Sequence, residues 1–228
     1  RLTGFIMPMA DFFAHPTAII DDGAAIGSGS KIWHFAHIFP NARIGKDCSF
    51  GQNTMVADGA IIGNNVKVQN NVAIYSGTTI EDDVFLGPSC VLTNVSNPRS
   101  QVVRRGIYES TVIRRGATVG ANATIVCNLT LGRYCFIAAG AVVTRDVADY
   151  SMIAGVPGQP LGWMSRHGHK LQFNEDAIAI CPESQLRYRI STSPGPSIVH
   201  CLDLDEEETL PDDLTVGKKD YQAFKPDS

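Results

Sequence analysis

Isoleucine, valine, leucine or phenylalanine stands at every sixth position over most of this chain, and no other feature narrows the fold as far. The beat runs Ile20, Ile26, Ile32, Ile38, Ile44, Phe50, Val56, Ile62, Val68, Ile74, Ile80, Leu86 and Leu92. It breaks once, then resumes through Ile113, Val119, Ile125, Leu131, Ile137 and Val143. A period of six suits neither the turn of an α-helix nor the two-residue alternation of a strand. It is the mark of a parallel β-helix, in which short strands alternate with corners.

Two further columns keep the same time. Four residues after each anchor stands a small residue such as Ala24, Ser30, Ala36, Thr54 or Ala141, with Leu129 the one larger exception. Three residues after most anchors stands Gly, Asn or Asp, as at Gly23, Gly29, Asn41, Asp47, Asn53, Gly59, Asn65, Asn71 and Gly77. These residues tolerate positive φ, so a tight corner is expected in each repeat. Energetics then require stacking. Ordering six residues costs roughly 6–12 kcal/mol, whereas one buried Ile returns only about 1.5–3 kcal/mol. Many coils must therefore share one core, with a cap at each end. The segment before Ile20 and the tail after Val147 are the expected caps.

Composition excludes some functions. The chain has 228 residues and a net charge of −4, a balance that argues against nucleic acid as a partner. No run is long enough to span a membrane, and no signal peptide is evident, so the cytoplasm is the expected compartment. The opening RLTGFIMP reads as lying upstream of a start at Met9. Cys48, Cys90 and Cys135 fall in the small inward column and are expected to be buried thiols. Cys127, Cys181 and Cys201 lack metal-ligand spacing, and no metal is expected. Residues 174–191 read as a small β-ribbon. Beyond Ser191 the acidic, Pro-rich stretch containing DLDEEETLPDD reads as a flexible tail.

Leu92 and Ile113 stand twenty-one positions apart where six would keep the beat, an insertion of fifteen. A solenoid can eject such a loop without disturbing its stack, and loops of this kind carry function. Asn94, Asn97, Arg99, Arg104, Arg105 and Tyr108 make it polar and able to meet an anionic ligand. Asn53 and Asn71 are explained by corner conformation alone. Gln52, Gln69 and Asn70 are not, and Gln69–Asn70–Tyr75 make a polar strip expected to lie near Asn94. Tyr75 could equally be an outward aromatic at a subunit contact. His34 and His37 are candidate bases, although Trp33 and Phe35 beside them suit packing as well. Arg99 is the first choice for a carboxylate or pyrophosphate, and Arg114 the second.

The pattern seen as IGSGSK, IGKDCS, IGNNVK and LGRYCF resembles the hexapeptide-repeat acyltransferases. That resemblance implies an all-β chain forming a left-handed parallel β-helix of about six coils, with one inserted loop and a short C-terminal extension. It also implies a homotrimer with active sites between subunits. The expected division is an N-terminal extension 1–14, the helix 15–157 with its loop 94–110, an extension 158–191 and the acidic tail 192–228. The segments AHPTAIID, KIWHFAHI, VKVQNNVAIY, EDDVFLGPSCVLTNVSNPR, GATVGANATIVC, AGAVVTRDV and GVPGQPLGWMSRHG resemble one branch of that family. Its members are bacterial N-acetyltransferases acting on UDP-linked 3-amino sugars. The implied reaction is acetylation of the 3-amino group of UDP-2-acetamido-3-amino-2,3-dideoxyglucuronate, using acetyl-CoA, for surface polysaccharide.

Several roles follow from the resemblance. An asparagine matching Asn94 sits at the reacting amine, and the histidine base that many family members carry in this loop is absent here. Asn94 is expected to orient the amine or its water, with the departing thiolate taking the final proton; the alternative is that it only shapes the loop. The acetyl-CoA end is expected at Gly120, Ala138, Ala139, Gly140, Arg145, Val156 and Pro157, with Lys170 also near the 3′-phosphate. For the glycines, corner geometry is a competing explanation. Other readings are a dTDP-linked 3-amino-deoxysugar acetyltransferase, a γ-carbonic-anhydrase type, and a non-catalytic β-helix. The carbonic anhydrase type fits poorly, since His34 and His37 lie three apart without a third histidine.

Overall fold

The computed structural model describes residues 11–191, 195 and 197–224. The stretch RLTGFIMP lies outside them. The six-residue beat becomes a three-sided left-handed β-helix of two- and three-residue strands. Face one stacks Phe13–Ala14, Lys31–Ile32, Ser49–Phe50, Lys67–Val68, Phe85–Leu86, Thr118–Val119, Phe136–Ile137 and Ser151–Ala154, all parallel. Face two begins at Ile19–Ile20 and ends at Val142–Val143, and face three runs from Ala25–Ile26 to Thr130–Leu131. Partners in register lie eighteen residues apart, as in Lys31 with Ser49, and thirty-three apart across the insertion, as in Phe85 with Thr118.

The helix is longer than the beat foretold, about eight turns on face one rather than six. At the start, Ala14 keeps the rhythm six residues before Ile20 and pairs with Ile32, but a small residue hid it. At the end, Val147 bridges Leu131 only four residues after Val143, a corner shortened by two. Ile153, six further on, then pairs with Ile137.

Every anchor from Ile32 to Val143 is buried in one continuous core, with the small column of Ala36, Ala42, Cys48, Ala60, Ala117 and Ala141 beside it. The glycine, asparagine and aspartate corners from Gly23 to Gly140 take positive φ. So do Phe35, Ser89 and Tyr134, which occupy the same column without the favoured residue types. There the ladders on both sides outweigh a local cost of order 1–3 kcal/mol. Gly120 answers a different demand. A Cβ on it would lie 2.5 Å from the backbone nitrogen of Ala139 in the next coil. Burial pushes the Cys90 thiol up to about 12 and raises those of Cys48 and Cys135, so all three behave as packing groups.

Beyond Ala154 the chain turns at Gly155–Gly158, through a cis Val156–Pro157 bond. It returns antiparallel as Gln159–Met164 and pairs on to Lys170–Leu171. A separate antiparallel sheet joins Ile178–Ile180, Arg187–Ser191 and Ile198–Cys201. The ribbon expected over 174–191 thus has a third strand drawn from the stretch read as a tail. Tyr134 and Tyr150 stack at 5.1 Å, and Tyr150 meets Tyr188 edge-on at 5.6 Å, which joins this sheet to the last coils.

The acidic segment after it folds back on the solenoid. Glu207 pairs with Arg133, and its carboxylate lies 3.6 Å from Arg115 Nε. The Glu206 carboxylate accepts from Tyr150. Composition alone reads such a segment as free; the arginines that hold it are distant in sequence.

Candidate functional site

Three edges separate the three faces, and residues eighteen apart share an edge. The inserted loop leaves the second edge, between faces two and three. Its neck is tightly drawn. The Glu109 N–H donates to the Asn94 carbonyl at 3.0 Å. The Glu109 carboxylate accepts from the Ser96 N–H at 3.0 Å and from Ser96 Oγ at 2.6 Å. Those two bonds hold its carboxyl below the ordinary range. From the next coil, the Cys127 N–H donates to Thr93 Oγ1 at 2.9 Å. The buried Cys127 Sγ lies 3.5 Å from both Ser96 Oγ and Glu109 Oε2. The sequence pattern does not mark Ser96 or Glu109, and it marks Cys127 only as a cysteine without metal-ligand spacing. The signal available was an acid placed just before the beat resumes.

Tyr75 also lies on the second edge, exposed, one coil before Thr93, because Ala73 pairs with Val91. Gln69 and Asn70 lie on the first edge. The strip Gln69–Asn70–Tyr75 is therefore divided between two edges of one subunit, since six residues advance the chain by one face. Arg99 is exposed on the loop, its Nη1 3.1 Å from the Pro98 carbonyl. With Arg104 it lines a shallow groove of about 310 Å³. Arg114 stands on the third edge, away from Asn94, half-buried and with Nε unpartnered. Its neighbour Arg115 pairs there with Asp82 at 2.9 Å and Asp83 at 2.8 Å.

The first edge carries a straight column. Backbone N–H groups of Asn53, Asn71, Ser89, Asn122 and Gly140 donate in turn to the carbonyls of His34, Gln52, Asn70, Pro88 and Ala121. Thus His34, Gln69 and Asn70 share an edge with Gly120, Ala138, Ala139 and Gly140. Trp33, His34, Gln52, Gln69 and Asn70 line an open groove of about 360 Å³. Asn70 is partly committed to the fold, as its Oδ1 accepts from the Gln52 N–H at 2.9 Å. The rings of His15 and His34 stack at 3.5 Å. Desolvation, and then the charge of His34, lower the His15 pKa. His37 lies on face two instead, 3.0 Å from Asp21 and stacked on Phe39.

At the C-terminal end of the solenoid, Arg145, Asp146, Ser151, Gln159 and Trp163 line a cleft of about 470 Å³. The Arg145 guanidinium bonds Gln159. Val156 and Pro157 are exposed in the adjoining turn. Lys170 lines a different, more apolar pocket of about 370 Å³ with Phe136, Met152 and Leu161. Among the described residues no group of three His, Cys, Asp or Glu is placed to hold a metal. No helix among them is long and apolar enough to cross a membrane.

Known proteins resemble this chain in sequence. The family model described as bacterial transferase hexapeptide (six repeats) matches residues 59–94 and 110–145, on either side of the loop. The hexapeptide repeat of succinyl-transferase matches 41–76. The dTDP-3-amino-3,6-dideoxy-alpha-D-galactopyranose 3-N-acetyltransferase of Aneurinibacillus thermoaerophilus is 40% identical over 169 residues, 74% of this chain and 86% of that protein. Serine acetyltransferase 4 of Arabidopsis thaliana is 36% identical over 62 residues, 27% of this chain and 18% of its own. Among solved structures, the acetyltransferase domain of PglB from Neisseria gonorrhoeae FA1090 in complex with acetyl coenzyme A is similar. It has a TM-score of 0.44 and 20% identity, over 66% of this chain and 58% of that one. The chain thus spans less than two thirds of the length of these last two. With 40% identity across most of an N-acetyltransferase and the hexapeptide repeat running on both sides of its loop, the chain belongs to the hexapeptide-repeat acetyltransferases and is an acyltransferase.

Proposed function

We propose that this protein transfers the acetyl group of acetyl-CoA to the 3-amino group of a nucleotide-linked 3-amino sugar, first of all a dTDP-linked 3-amino-3,6-dideoxyhexose. The observation that carries this reading is the 40% identity to a 3-N-acetyltransferase of such a sugar, over 86% of that protein. It reverses the order suggested by the motifs, which set a UDP-linked uronate ahead of the dTDP sugar.

In the reaction the neutral sugar amine attacks the thioester carbonyl carbon. The C–S bond breaks, the amide forms, and the amine's surplus proton ends on the departing sulfur. The Asn94 amide is too weak a base to remove that proton and serves to orient the amine. Acetyl-CoA lies along the first edge past Gly120 and Ala138–Gly140. Its nucleotide end reaches the cleft of Arg145 and the Val156–Pro157 turn. The acceptor takes the groove of His34, Gln69 and Asn70 together with Tyr75 and Asn94. These belong to two different edges, so one sugar meets both sets only where two copies of the chain adjoin. That supports a homotrimer with its sites between subunits. A reaction that consumes acetyl-CoA and a nucleotide sugar suits the cytoplasm, and its product suits surface polysaccharide assembly.

The second reading, a UDP-linked 3-amino uronate, is favoured by Arg99 beside Arg104 on the loop, able to take a carboxylate. Incubating the protein with acetyl-CoA and a panel of dTDP- and UDP-linked amino sugars, while following free thiol, separates the two. The dTDP 3-amino-deoxysugar should react fastest, with little effect of Arg99→Ala. Preference for the uronate, lost in Arg99→Ala, would select the second reading. Thiol release from no 3-amino sugar would reject both.

A further inference from the structure

Asn94 sits in the neck of a long excursion, where an orienting group is of use only if its backbone is fixed. One residue, Glu109, holds it at two points. The Glu109 N–H holds the Asn94 carbonyl, and the Glu109 carboxylate holds Ser96, two residues further on, through both the N–H and the hydroxyl. The 2.6 Å O–H···O⁻ contact has the short geometry of a charge-assisted bond. The buried Cys127 on the next coil ties the same neck to the frame, through its N–H to Thr93 Oγ1 and its thiol beside the carboxylate.

We infer that Glu109 is a positioning residue for acetyl transfer: its carboxylate clamps Ser96 across the neck of the 93–110 loop and so fixes Asn94 against the solenoid. The inference rests on Asn94 acting at the reacting amine, as proposed above. Glu109 is itself poorly suited to take the amine's proton. Both of its oxygens accept from Ser96, which stabilises the ionised form and weakens it as a base.

The test uses the full-length protein. Glu109→Gln keeps the volume, but its amide nitrogen cannot accept from Ser96; Ser96→Ala removes the hydroxyl bond alone. One arm needs no substrate. Trypsin can cut the loop after Arg99, Arg104 and Arg105, and when opening and closing are fast the rate follows the open population. Loss of a charge-assisted clamp should make Glu109→Gln nick about tenfold faster or more, with Ser96→Ala between it and the native protein. The second arm reads acetyl transfer: kcat should fall about tenfold or more while KM for acetyl-CoA and the thermal midpoint hold. Unchanged nicking would overturn the clamp. Faster nicking with native kcat would overturn its role in the reaction, and a large drop in thermal midpoint would make Glu109 a purely structural residue. If the native protein acetylates nothing in the panel, the proposed function fails, while the nicking arm still decides whether Glu109 holds the loop.

Discussion

An amide side chain and a histidine make different demands on a pH profile, and that difference tests Asn94 directly. Replacing Asn94 by Ala should lower kcat/KM for the amino sugar by about 10²-fold, the scale seen when one aligned polar group is removed from a reacting centre. The thermal midpoint should stay in place, since the Asn94 side chain is not part of the buried core. A loss of less than threefold, measured by thiol release, would reduce Asn94 to shaping the loop. With no histidine in the loop, the rate should rise with pH along a single limb set by the sugar amine. That limb should be identical in His34→Asn. If it moves in the variant, the histidine is the base. At this scale the sequence spoke clearly about Asn53 and Asn71, whose positive φ was written in their column. It was silent about Glu109, because Ser96 lies thirteen residues away, off the six-residue beat, and the eighteen-residue step to Cys127 starts inside the insertion, where the beat is broken.

Each element of this fold is a coil held at the backbone by the next, so single atoms at the corners carry large consequences. Gly120→Ala would put a methyl 2.5 Å from the Ala139 nitrogen and 2.7 Å from the Ile137 carbonyl oxygen. Neither can give way without parting two coils. The variant should be destabilised by at least about 1–3 kcal/mol, the cost of overpacking, as read by chemical denaturation. A midpoint equal to the native one would mean that the coils can separate there, leaving room for a ligand reading of this glycine.

The C-terminal extension has its own lock. His169 Nε2 lies 2.7 Å from Glu183 Oε2, and Glu183 Oε1 accepts the Lys218 N–H at 2.8 Å. Those bonds lower the Glu183 pKa, the Lys218 contact contributing most. A carboxyl whose folded pKa is depressed lends stability fully above its unfolded value of 4.5 and loses it as pH falls through the lower folded value. The melting gap between native protein and Glu183→Gln should therefore close as pH drops from neutrality to below that range. A gap independent of pH would remove Glu183 from the lock. Little of this extension was legible in the sequence. A three-strand sheet of short segments has no repeat to betray it, and the acids that dock it find arginines some seventy residues upstream, as Glu207 finds Arg133.

A solenoid divides stability from chemistry more cleanly than a globular core does, because each coil touches only its neighbours. The insertion leaves the register intact: face one pairs Phe85 with Thr118, and face two pairs Val91 with Thr124, on either side of it. The rhythm that makes the fold legible also explains why the strip Gln69–Asn70–Tyr75 is divided within one subunit. A beat of six locates every corner, but three beats make a coil, so residues six apart belong to different edges. In the proposed site, a second copy of the chain joins the Tyr75 edge to the Gln69–Asn70 edge. Sedimentation should accordingly give about three times 24.6 kDa, and a monomer with full activity would contradict a shared site. The same separation sets the outcome of cutting the loop itself. Replacing residues 97–107 by two glycines keeps the neck, where the Asn94 carbonyl and Glu109 N–H already lie 3.0 Å apart. Loop-closure entropy changes by only about 0.6 kcal/mol per doubling of length, so the thermal midpoint should shift by no more than a few degrees. Acetyl transfer to the amino sugar should fall by about 10²-fold or more, because Arg104 and Arg105, cations able to pair with the pyrophosphate of the nucleotide sugar, leave with the loop. Calorimetry and thiol release on one preparation read both quantities. If activity survives the shortening, the reaction belongs to the neck and the first edge alone, and the polar tip of the insertion has no part in holding the sugar.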